Sequence, residues 1–202
     1  MDNKVYEIKE SSIADPGALG TAGFALTTMA LSCVNAGLVP PSLTAVFIPL
    51  ALVYGGAAQV MAGMWEFKKN NTFGASVFSS YGGFWIALAV MLLFVFKGTI
   101  SFGKDNADLG LALGFYLLLW TIPTIYFFIA SFKTNNALLI TLIVLLVAFF
   151  ALDYGNLAGS AVAIKVGGWF GIGAGLGAWY ISAASVINSV YKRTVLPVGP
   201  RA

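Results

Sequence analysis

The chain has 202 residues, 59% of them apolar and only 9% charged, with a formal net charge of +3. A soluble domain carries about a quarter charged residues, and a mean hydropathy of +0.87 excludes a chain that stays dispersed in water. The sequence reads as an all-α integral membrane protein. Its basic residues are scattered, without the interleaved aromatics of a nucleic-acid surface, so no nucleic acid is expected as a partner.

Residues 1–14 form a polar tail, with Asp2, Glu7 and Glu10, and lack the early apolar core of a secretory signal. The first span is therefore expected to remain in the mature protein. A helix needs about 20 mostly apolar residues to cross the hydrocarbon, and six such runs follow: 19–39, 43–65, 76–96, 109–132, 137–152 and 166–187. The fifth is short unless Asp153 and Tyr154 reach the interface. Lipid makes each span satisfy its own backbone, so each is expected to be helical. The runs lack the period-two alternation of a β-barrel strand. The domain should cover 15–190, with a second tail over 191–202.

With six spans, both termini share a face. That face carries Lys4, Lys9, Lys68, Lys69, Lys133, Lys192, Arg193 and Arg201, and the other only Lys97, Lys104 and Lys165. The positive-inside rule places both termini in the cytoplasm of a cell-membrane protein. The single cysteine, Cys33, excludes an internal disulfide or a cysteine zinc site. The absence of histidine removes HExxH sites and Ser-His-Asp triads. No metal or cofactor is expected. No mid-membrane nucleophile, acid pair or metal cluster is visible, so an enzyme is not expected either.

The second span is unusually thin. It reads YGGAAQVMAGMWEFKKNNTFG, with Gly55, Gln59 and Gly63 on one stripe. Gly167, Gly171 and Gly175 make a second stripe, and Gly110 with Gly114 a shorter one. In lipid, small residues at i and i+4 let helices approach closely; they also leave room beside a narrow path. Polar groups at membrane depth face a partner or a pathway. Here they are mild: Thr27, Thr28, Ser32, Asn35, Gln59, Ser79, Ser80, Tyr81 and, after the fifth span, Asn156. Amides and hydroxyls without a fixed cation suit weak, transient binding of a small anion. Glu66 is expected to tie its helix end to the KKNNTFG turn.

Several segments resemble the acetate uptake transporter family, the succinate–acetate permeases. DPGALG (Asp15, Pro16, Leu19 and Gly20 among its residues) resembles the family's N-P-A-P-L-G-L signature at the pore mouth. YGGAAQVMAGMWEFKKNNTFGASVFSSYGGFW is similar to its second and third spans, and GNLAG, GGW and RTVLPVG match further along. The resemblance implies a six-helix protomer with its own pore, assembled as a homohexamer in the bilayer. Acetate and other small carboxylates, possible substrates including succinate and propionate, would pass a hydrophobic constriction. By motif position that constriction is Phe24, Tyr81 and Leu145, and Ala178 falls where the family tunes substrate size. Gln59, Thr27 and Asn156 complete the expected substrate path. Departures from the signature are Asp15 for Asn, Gly17-Ala18 for Ala-Pro and Thr21 for Leu. Asp15 either repels an incoming carboxylate or caps the first helix, since Asp-Pro is a good N-cap and N1 pair. The alternative reading is a channel for ammonia, water or glycerol. It predicts paired N-P-A half-helices or a paired-histidine pore, and the sequence has neither.

Overall fold

The computed structural model describes residues 13–201; the expected tail over 1–14 lies mostly outside them. Six helical rods are long and apolar enough to cross a membrane. They are α1 (Gly17–Asn35), the pair α2 (Thr44–Leu52) and α3 (Gln59–Lys68) joined end to end, α4 (Thr72–Phe96), α5 (Leu109–Ser131), α6 (Asn136–Leu157) and α7 (Ala161–Tyr191). Side chains cap three starts: Asn71 accepts from the Gly74 N–H, Asn135 from Leu138 and Ser160 from Ala163. α7 packs most extensively on α1 and α6, and α5 lies at the outside of the bundle against α6.

Several expected boundaries move, three of them for a clear physical reason. The first span stops at Asn35, because Gly37 turns at φ +76° and Pro40–Pro41 follow. The sixth begins at Ala161, one residue after its Ser160 cap. The fifth is not short: α6 continues to Leu157, so Asp153 is a buried helix residue rather than an interfacial one, 5% exposed. A polar side chain that bonds to a neighbouring helix does not end a membrane helix, and the Asp153 carboxyl is hydrogen-bonded to the Thr121 hydroxyl of α5.

The α2–α3 rod holds Pro49 and a π-helical turn over Val53–Ala58. Phe47, Ala51, Gly55, Gln59 and Gly63 recur every fourth residue, and all are buried. In an unbroken α-helix four-residue steps drift by roughly 40° each. Gln59 would then sit about 120° around from Phe47. The wider π turn takes up part of that drift and returns Gln59 to the inner face.

The glycine stripes are close helix contacts. On α7 they divide between two neighbours: Gly168, Gly171 and Gly175 meet α1 at Ala36, Ser32 and Ala25, whereas Gly167 and Gly177 meet α6 at Leu152 and Thr141. The C-terminal segment is docked. The Asn188 side chain binds the backbone of Val195 and Leu196, and Tyr180 donates to the Pro197 carbonyl. Val198 and Gly199 accept from Ala137 and Asn136 N–H, satisfying orphan donors in the first turn of α6.

Candidate functional site

Two small cavities lie end to end inside the bundle. The one nearer the termini, about 40 Å³, is lined by Thr21, Gln59, Phe78, Thr141 and Ala178 among others. The second, about 50 Å³, carries Thr28, Ser32, Asn35, Trp85, Phe149 and Gly171. Each has room for a few water-sized molecules. Phe24, Tyr81 and Leu145 are the residues that line both, so these three side chains separate the two spaces. A vestibule of about 520 Å³ opens on the terminal face and shares Thr21, Val77, Phe78, Leu138 and Ile181 with the first cavity. A cleft of about 500 Å³ on the opposite face shares Asn35 with the second. Each space thus shares lining residues with the next.

The neck is aromatic and held by its neighbours. The Phe24 and Tyr81 rings have centroids 5.3 Å apart, and Tyr81 meets Phe127 edge-on at 5.8 Å. The Tyr81 hydroxyl lies 2.9 Å from Thr124 Oγ1. Thr124 donates its own hydrogen to the Trp120 carbonyl, so the tyrosine is the donor. That bond, on the far side of the ring, fixes Tyr81 across the path.

Polar groups stand on each side of the neck. Gln59 is fully buried, and neither its Oε1 nor its Nε2 has a partner. An unsatisfied buried amide costs about 1–3 kcal/mol. No interhelical bond is formed by this amide, and Gln59 is among the residues lining the first cavity, whose wall is apolar. In the second cavity the Thr28 hydroxyl and the Trp85 indole N–H are likewise buried and unpartnered. By contrast Thr21 and Thr141 donate to carbonyls of their own helices, Gly17 and Ala137.

Two expected path residues stand elsewhere. Thr27 fills the notch left by Gly55 on the π turn and is not among the residues lining either cavity. Thr28, the next residue, takes the cavity face. Asn156 donates to the Leu152 carbonyl of its own helix, also away from both linings. Ala178 is buried in the first cavity wall. Trp85 was overlooked by sequence reading, although it lies one helical turn beyond Tyr81 within SSYGGFW and so shares its face.

At the terminal face Asp15 caps less than it ties. Its carboxylate accepts a long bond of 3.3 Å from the Gly17 N–H, with Pro16 at the assigned N-cap. It also pairs with Lys69 at 2.7 Å and accepts from Ser185 at 2.7 Å, linking α1 to α3 and α7. Leu19 points outward, 40% exposed, and the Phe78 ring packs over Gly20, 2.6 Å from where a Cβ would stand. Glu66 accepts from Asn71 in the following turn, and Lys69 turns to Asp15 instead.

Burial by itself raises the Asp15 pKa. The bonds from Lys69 and Ser185, the Lys69 charge and the Gly17 N–H outweigh it and hold the carboxyl below its usual range. The stabilisation is complete above the unfolded value of about 3.9 and is lost as pH falls through the lowered folded value. The pair is half exposed, so Asp15→Asn is expected to cost only about 0–1 kcal/mol at neutral pH. The two proteins' thermal melts should converge in acid as the folded-state carboxyl becomes protonated; a gap that persists once it is protonated would mean the carboxylate is not its source.

Among the described residues no three of His, Cys, Asp and Glu cluster in a way that would hold a metal ion. A family model described as the GPR1/FUN34/yaaH family matches residues 1–200. The chain is 38% identical over 189 residues to the succinate-acetate/proton symporter SatP of Escherichia coli K12, covering 94% of this chain and 97% of that one. It is 36% identical over 201 residues to acetate permease A of Emericella nidulans, covering 95% of this chain and 67% of the fungal one. A solved structure of the bacterial acetate channel SatP superposes with a TM-score of 0.86 at 37% identity, over 93% of this chain and all of that chain.

Proposed function

The chain belongs to the GPR1/FUN34/yaaH family, and we propose that it is a membrane conduit, not an enzyme, for acetate and related small carboxylates. The observation that carries this reading is the unpartnered Gln59 amide, fully buried beside a neck of Phe24, Tyr81 and Leu145. The relatives' names and the acetate channel neighbour point to the same substrate class. Succinate and propionate are proposed as further substrates. The excess of basic residues on the terminal face supports termini in the cytoplasm, and a homohexamer is proposed as the assembly.

The chemistry follows from what lines the path. No charged side chain is among the residues of either cavity. A carboxylate would exchange part of its hydration for the Trp85 N–H and Thr28 hydroxyl on one side and the Gln59 N–H₂ on the other. Such neutral donors hold an anion weakly, as rapid release requires. Its methyl group would pass against the neck. The Phe24 and Leu145 side chains offer no polar atom there, so an ion hydrated on every side loses more than a small carboxylate, whose methyl group needs no hydration.

Uptake of labelled acetate into liposomes holding the purified protein tests the reading. Weakly saturable uptake down the acetate gradient supports a channel. Accumulation only under an imposed proton gradient supports a symporter. Uptake no greater than that of empty liposomes overturns the proposal. The Gln59→Leu variant should lose several-fold in uptake while matching or exceeding wild type in thermal stability, because it removes an unsatisfied amide worth about 1–3 kcal/mol. Unchanged uptake would remove Gln59 from the path.

A further inference from the structure

Asp153 is a carboxyl group inside a membrane helix that the transport path does not use directly. It is 5% exposed and receives one hydrogen-bond contact, 2.7 Å from Thr121 Oγ1 to its Oδ2; its Oδ1 has none. Among the described residues no cation is paired with it. α5 carries no charged residue and its tyrosines, Tyr116 and Tyr126, are not bonded to Asp153. On α6 itself the neighbouring Tyr154 is exposed. On α7, Lys165 lies over Gly37 at the far mouth, and Tyr180 is bonded to the C-terminal segment. Tyr191 ends α7 at the terminal face, and on α4 the Tyr81 hydroxyl is engaged with Thr124.

Counting hydrogens decides the protonation state. Thr121 has a single hydroxyl hydrogen but two oxygens within reach, Asp153 Oδ2 at 2.7 Å and the Leu117 carbonyl at 3.1 Å. If Asp153 is ionised, only one of these contacts is a hydrogen bond, and a buried anion is left with a single donor and no counter-ion. If Asp153 is protonated, its O–H donates to Thr121, and Thr121 donates to Leu117. Both contacts are then bonds, and Oδ1 is an ordinary carbonyl oxygen. Leu117, one turn before Thr121 on α5, and Leu152, next to Asp153 on α6, both line the second cavity. A charge on Asp153 would therefore stand directly behind the wall past which an anion moves.

We propose that Asp153 is a proton-binding site in the conduit wall, neutral at physiological pH, whose ionisation opposes anion passage through the second cavity. The coupling half rests on the carboxylate reading above; the proton site does not.

Infrared spectra of the full-length protein in lipid, titrated from about pH 5 to about pH 9, read the group directly. Wild type should show a protonated-carboxyl C=O band at neutral pH that Asp153→Asn removes and Thr121→Val displaces. Labelled acetate uptake, at equal pH on both sides and after subtracting empty liposomes, should fall roughly tenfold more in wild type than in Asp153→Asn across the titration of that band, from like-charge repulsion in a low dielectric. Absence of the band at neutral pH overturns the proton site. Identical pH curves for the two proteins overturn the coupling. If neither protein takes up acetate, the conduit reading and the coupling fall together, and the band still decides the proton site. Thr121→Val retains the carboxyl, so it supplies the spectral test if Asp153→Asn does not fold.

Discussion

Replacing Tyr81 with alanine is expected to raise acetate flux by roughly tenfold, equivalent to lowering the barrier by about 1.4 kcal/mol. The ring is 2% exposed, lines both cavities and is held across the path by its bond to Thr124. Removing it joins two spaces of about 50 and 40 Å³, so a carboxylate keeps water where it would otherwise shed it. The same change loses ring contacts with Phe24 and Phe127, and truncating a buried aromatic costs about 3–5 kcal/mol. Flux must therefore be normalised to folded, reconstituted protein. Tyr81→Phe separates the effects: the ring stays, the Thr124 bond goes, and flux should remain within about twofold of wild type. If Tyr81→Ala carries no more acetate than wild type, the three residues are packing and not a barrier.

The largest structural effect is expected at Gly168. A Cβ there would meet the Ala36 backbone nitrogen and stand 2.7 Å from the Asn35 carbonyl carbon and 2.8 Å from Ala36 Cα. All three are backbone atoms at the end of α1, so no rotamer change relieves the clash, and α1 must move off α7. Gly168→Leu should cost more than about 3 kcal/mol, beyond the usual range for overpacking, and appear as loss of the monodisperse protein on size exclusion in detergent. Gly83 is the control, since nothing lies within 4 Å of its Cβ position. Gly83→Ala should be neutral or stabilising by up to about 1 kcal/mol through helix propensity. Equal melting temperatures for the two variants would refute the close α1–α7 contact.

Six membrane-crossing helices were legible in the sequence, because lipid leaves the backbone no other way to satisfy itself and polar turns mark each interruption. The break at Gly37 and Pro40–Pro41 was misplaced by a few residues, since the apolar run continues through Leu38 and Val39. The end of α6 was misjudged for the opposite reason. Asp153 reads as a stop in sequence, and its partner Thr121 is 32 residues away on another helix.

The sequence by itself determined the membrane environment, the number of spans, the absence of histidine chemistry and, through its motifs, the family. Which face each residue takes was decided only by the tertiary structure. In a soluble helix water marks the outer face with charge. Here lipid and core are both apolar, so a helix such as α6 is apolar all round and its rotation leaves little trace in residue order. The rotation is set by contact: Gly168 against the end of α1, Gly55 around Thr27, and the π turn that brings Gln59 onto the inner face. Those contacts put Thr28 rather than Thr27 beside the cavity, and set Phe24, Tyr81 and Leu145 around one neck.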